Sequence, residues 1–310
     1  MSATHRRRLI TPRRVILALV MLGIAGAAVI GLNVLGAGTK FGNLVRKVEL
    51  IIDPPPDRAI DEAVLVTPKP SADPTPTPAA TAKASLAPGQ TEPPPPTPTP
   101  APVREAMDVN LLDDPASVFI SEQDKDLCAV AGTQIVLAMN GRAALTEAFQ
   151  RELAGRIGEW ESRRDSKNGG WGPSAMVKAL EAYGVTGYEV RAYETRGDAL
   201  RDAGRAIEAT GAPVLLLAWR GAHTWVMTGF KSDADPALFD DARMAGAYIL
   251  DPWYPRVSSI WGPSDPPGTF QDADEMKRNY LAWKRPEGLY PKRDGLFIAV
   301  VPTQPLLTTP

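Results

Sequence analysis

Apolar and polar residues are arranged in three different ways along this chain, and each arrangement predicts a different structure. From Val15 to Thr39 no acid or base interrupts the sequence. At about 1.5 Å per residue, the apolar stretch Val15 to Leu35 is long enough for a helix that crosses a bilayer. From Asp53 to Val103 the pattern disappears into runs such as Pro54-Pro55-Pro56 and Pro93-Pro94-Pro95-Pro96. Proline fixes φ and has no amide proton, so such a segment favours solvated polyproline II over helix or sheet. From Glu105 onward helical and strand periodicities return, and about 200 residues suffice for one domain with its own core.

In that domain the 3.6-residue period predicts four helices and a shorter fifth. One opens near Cys128, with Asp126 as expected N-cap and Asn140-Gly141 as stop; a second runs from about Leu145 to Arg163. A third covers Ser174 to Ala182 behind Pro173, a fourth Gly197 to Ala209, and a short one lies around Asp272 to Trp283. Strands are expected at Tyr188–Tyr193, Pro213–Trp219, His223–Phe230, Ala247–Asp251 and Leu296–Val301. Helices come mainly first and strands afterwards, which argues for an α+β domain over an alternating doubly wound sheet.

Charge changes this picture only at the N-terminus. The formal net charge of −2 gives no global basic field, so nucleic-acid binding is not expected. Arg6, Arg7, Arg8, Arg13 and Arg14 precede the apolar run, against Lys40, Arg46 and Lys47 after it. That bias orients the N-terminus towards the cytoplasm. A cleaved signal peptide is the alternative, but its apolar core would be about 7 to 15 residues. The expected organisation is a cytoplasmic basic tail at 1–14, a transmembrane signal anchor at 15–37, a disordered proline-rich linker at 38–103 and a folded, monomeric, extracytoplasmic domain at 104–310. A fully extended linker would reach on the order of 150 Å.

Candidate chemistry rests on scarcity. Cys128 is the sole cysteine of the chain, and His223 is the sole histidine of the domain. If the strands beginning at His223 and ending at Asp251 pair antiparallel, the imidazole faces the carboxylate directly across the ladder. Asp251 would then fix the tautomer, and the second ring nitrogen would turn towards the head of the Cys128 helix. The positive end of a helix and an adjacent imidazolium both favour thiolate over thiol. Singly, each residue has a plainer reading: a buried thiol, a satisfied histidine, an Asp-Pro turn. One cysteine and one histidine cannot complete a four-ligand structural zinc site, and no metal or organic cofactor is expected. Trp171, Trp225, Trp253 and Trp261 are core or cleft residues.

Gln123 with Cys128 at the head of a helix, His223-Thr224-Trp225-Val226-Met227-Thr228-Gly229-Phe230 and Tyr248-Ile249-Leu250-Asp251-Pro252 together resemble the C39-like, papain-fold cysteine peptidases. The resemblance spans Val118 to Val301. It implies a papain-like fold in which N-terminal helices pack on an antiparallel sheet, and peptide or protein substrates. It also implies Cys128 as nucleophile, His223 as base, Asp251 as its orienter and Gln123 as an oxyanion donor. The family usually has glycine after the cysteine and glutamine six residues before it; here Ala129 follows, Gln123 is five residues before, and Glu122 holds the sixth position. A catalytically silent binding module and an acyl-transferring relative are the alternative functions.

Overall fold

The computed structural model describes residues 63–66, 102–160, 171–284 and 293–306. The expected tail at 1–14 and membrane helix at 15–37 lie outside the described residues, as does nearly all of the expected linker. Among the described residues no helix is long and apolar enough to cross a membrane.

In chain order the elements are β1 (Ala63–Leu65), β2 (Met107–Asn110), α1 (Cys128–Met139), α2 (Glu147–Gly155), α3 (Pro173–Ala182), β3 (Tyr188–Tyr193) and α4 (Arg196–Thr210). There follow β4 (Val214–Leu217), β5 (His223–Ser232), β6 (Met244–Leu250), β7 (Val257–Ser258), β8 (Gly262–Pro263), β9 (Thr269–Asp272), α5 (Ala273–Asn279) and β10 (Phe297–Pro302). The main sheet has the order β1-β3-β10-β4-β5-β6-β9. The domain is α+β, and the sheet is antiparallel apart from β1, which pairs parallel with β3.

The structure departs from the sequence expectations in several places. The helix expected to reach Arg163 stops at Gly155, and a 3-10 turn at Ile157–Glu159 follows; Gly155 and Gly158 weaken helix in between. Its span beyond Trp160 lies outside the described residues. The helix at Cys128 is capped by Leu127 with no side-chain hydrogen bond, while Asp126 stays exposed. The strand expected to run to Trp219 ends at Leu217. Two strands, β2 and β9, are only four residues long and were not among the expected strands. Finally β1, inside the segment expected to be a structureless linker, adds to the edge at β3, and the Val66 amide donates to the Ala192 carbonyl at 2.9 Å.

β5 lies deepest. On one edge it pairs end to end with β4 and then β2, and on the other with β6, so nearly its whole length is buried on both faces. Odd and even positions feed two separate cores. Leu215, Val226, Leu250 and Val300 pack with α1 and α3, whereas Val214, Leu216, Met227 and Ile249 pack with α4 and α5.

Gly132 sets how closely α1 sits on the sheet. A Cβ there would lie 3.0 Å from Thr224 Cγ2 and 3.2 Å from Leu215 Cδ2. Gly132→Val should therefore overpack this contact and cost about 1–3 kcal/mol, read as a shifted denaturant midpoint.

Candidate functional site

Cys128 and His223 come together because each is the first residue of its element, α1 and β5. Packing of α1 against Thr224 and Val226 brings the head of the helix to the start of the strand. There a carboxylate oxygen of Glu122, Cys128 Sγ and a ring nitrogen of His223 all lie within 4.8 Å of one another. Cys128 is half-buried, so its thiol is not sealed in the core.

His223 Nε2 donates to Asp251 Oδ1 at 2.6 Å, and both residues are buried. The two are not directly opposite. The register Val226↔Leu250 and Met227↔Ile249 extrapolates to Asp251 opposite Trp225, which makes His223 its diagonal neighbour, two residues on. Diagonal residues share a face and are within reach of long side chains. The Asp251 Oδ1 atom also accepts the Trp253 amide at 2.9 Å, which fixes the carboxylate. With Nε2 engaged, Nδ1 is the nitrogen left for the thiol. Burial disfavours the imidazolium, but the charge and hydrogen bond of Asp251, helped by Cys128, raise the His223 pKa to about 10.

A tryptophan wall closes one side of the imidazole. Trp219 stacks on His223 with centroids 4.0 Å apart, Trp253 meets the same ring edge-on, and Trp261 stacks on Trp219. Trp219 and Arg220 have φ values of 51° and 63°, in the left-handed region that non-glycine residues rarely adopt. The strained turn puts the indole on the imidazole, and Asn279 Oδ1 accepts the Trp219 Nε1–H at 3.1 Å. The indole thereby covers one face of the imidazole. A cavity of about 310 Å³ reaches Asp251 from beyond Trp219 and Trp261. Trp171 is elsewhere, packed edge-on against Trp160.

Glu122 is grouped with Cys128 and His223. Gln123 Nε2 donates to the Ser121 carbonyl at 3.2 Å, and its backbone amide donates to Gln150 Oε1 at 2.7 Å. Gln150 in turn donates to Gln134 Oε1 on α1, so a buried amide network from α1 and α2 fixes residues 121–123. From the other side the Glu122 amide donates to the Pro252 carbonyl at 2.9 Å. Arg256 donates to Glu122 Oε1 at 3.2 Å and to the Gln123 carbonyl at 2.9 Å. The loop after β6 therefore holds both the partner of His223 and the position of Glu122.

Glu122 is only 1 % exposed, and its Oε2 atom is buried with no hydrogen-bond partner. Burial pushes its pKa up to about 7, against the attraction of His223 and Arg256 and with repulsion from Asp251 and Asp126. Between pH 4.5 and about 7 the folded chain thus binds the proton that the unfolded chain has released, and stability falls as pH rises through that window. Glu122→Gln should remove this dependence. By pH 8 the variant should be more stable than wild type by about 3 kcal/mol, and below pH 4 the two should converge in paired denaturant titrations. An unchanged difference at both pH values would refute the assignment.

At the head of α1 the first amides have no intrahelical acceptor, and Leu127 supplies no side-chain cap. These donors, a thiol, an imidazole held by a carboxylate and a second carboxyl group form one cluster. Such a cluster can support nucleophilic attack at a carbonyl, with amides available to the developing oxyanion. No protein-family model matches the chain, and no curated protein matches it.

Proposed function

We propose that the domain is a papain-like cysteine peptidase of the C39-like kind, displayed outside the cell on a membrane anchor. The observation that carries this reading is the ordered contact Cys128, His223, Asp251, with the thiol half-exposed at an uncapped helix head. A structural cysteine needs none of these neighbours.

The chemistry follows from the residues. Cys128 Sγ attacks the peptide carbonyl as thiolate, and negative charge collects on the carbonyl oxygen beside the N-terminal amides of α1. His223 gives its Nδ1 proton to the leaving amine as the C–N bond breaks, and a thioester remains. The same nitrogen then takes a proton from water, hydroxide attacks the thioester, and Cys128 is released. Asp251 holds the ring orientation throughout. Glu122 lies beside the reacting atoms, and in its protonated form it can donate to the oxyanion.

Because Cys128 is the only cysteine, thiol labelling reports on it alone. The test is the rate at which a peptidyl thiol-directed probe labels the full-length chain at pH 6, together with cleavage of a peptide library. Labelling much faster than that of an ordinary thiol, and slowed at least tenfold in His223→Ala, is expected. Equal rates in the two proteins, with no cleaved peptide, would end the proposal.

A further inference from the structure

The Glu122–Cys128–His223 cluster contains more acid than a thiol and an imidazole require. Glu122 Oε2 is buried without a partner, close to a sulfur and a nitrogen that are both good metal ligands. We propose that Glu122, Cys128 and His223 form a three-ligand zinc site that reversibly silences the thiol.

The donors suit this ion. Zinc takes thiolate, imidazole and carboxylate together in tetrahedral geometry, and three protein ligands leave the fourth position to water. Bonds of about 2.0–2.3 Å put tetrahedral ligand atoms roughly 3.3–3.8 Å apart. The three atoms here fall within 4.8 Å, so a modest side-chain contraction closes the site. Magnesium and calcium prefer oxygen-only shells and are poor competitors for a sulfur and nitrogen set.

The outer contacts are already those of a metal centre. His223 Nε2 donates to Asp251, which leaves Nδ1 for the ion in the carboxylate–histidine–metal arrangement. Arg256 holds Glu122 through Oε1, which leaves Oε2 for the ion. On binding, Cys128 gives up its thiol proton, His223 coordinates as neutral imidazole and Glu122 as carboxylate, with the released protons passing to solvent. The ion then covers the sulfur. No electron transfer occurs, and removal of zinc restores the thiol.

Silencing rests on the peptidase reading, whereas the site itself does not. The test uses the full-length chain in detergent, reduced and stripped with a chelator, and titrated with zinc in competition with a chromophoric chelator. One equivalent should bind, magnesium should not displace it, and Glu122→Gln and Cys128→Ser should each weaken binding at least tenfold. In parallel, zinc should slow probe labelling of Cys128, and added chelator should restore the original rate. Glu122→Gln is nearly isosteric, and a circular dichroism spectrum matching wild type establishes that it is folded. Absence of stoichiometric binding, or equal affinity in the folded Glu122→Gln protein, overturns the site. Zinc binding without peptide cleavage at any zinc level retains the site and removes the peptidase reading. Cleavage that zinc leaves untouched does the reverse.

Discussion

Peptide hydrolysis by Cys128→Ala should be lower than by wild type by about 10⁵-fold in kcat, with the thermal midpoint little changed. The size of the loss comes from the unit nature of nucleophile and base. Where two groups act in one proton transfer, removal of either forfeits nearly the whole covalent route and leaves only binding and oxyanion stabilisation. The small stability effect comes from position. Cys128 is half-buried at the first residue of α1, whereas the helix is held by Val130, Ile135, Val136 and Leu137 in the core behind it. The measurement is single-turnover cleavage of a peptide identified from the library. A variant retaining more than about a tenth of the wild-type rate would remove Cys128 from the chemistry.

Asp251 should show a sharp contrast between two substitutions. Both contacts to its Oδ1 come from donors, His223 Nε2–H and the Trp253 amide. Asparagine can supply an oxygen in the same place, so Asp251→Asn loses the charge and keeps the orientation. Asp251→Ala loses both and leaves a buried imidazole without a partner, since Trp219 seals that side. The loss in kcat should be about 10³- to 10⁴-fold for alanine and smaller for asparagine, with KM little altered. The pH profile separates the two contributions further. Asp251 opposes burial and keeps His223 protonated to higher pH than usual. In Asp251→Asn the alkaline limb of activity should therefore move to lower pH. Identical losses in the two variants would mean that Asp251 supplies charge alone.

The sheet was readable where side-chain pattern and strand length agree. Tyr188–Tyr193 alternates and falls where expected, and β5, β6 and β10 differ from expectation by a few residues at their ends. At four residues each, β2 and β9 are too short for a pattern to single them out, and pairing along β5 and β6 makes them strands. Scarcity and the Asp-Pro step point to His223 and Asp251. Their two-residue offset depends on where the ladder ends, which no local pattern encodes.

Around the thiol, Gln123 is the amide nearest the position that the resemblance implies, and it and Glu122 are oriented by different partners. Gln150 and Ser121 engage Gln123, while Pro252 and Arg256 engage Glu122. The six-residue spacing was the signal for Glu122. Trp219 offered none: only the strained turn before His223 turns a tryptophan at the end of an apolar run into the wall of the site. The missing N-cap has a comparable origin, since Asp126 at the helix head would occupy the amides that the cluster leaves open.

The strand at Ala63–Leu65 alters the mechanics of the chain. Residues 67–101, with their proline runs, connect two points on one sheet, β1 at its edge and β2 against β5. Tension from the N-terminal side therefore meets the three-residue β1–β3 pairing first, and the proline-rich stretch carries load only after β1 has come away. A protease that cuts within 67–101 leaves the two pieces held together by the β1–β3 pairing.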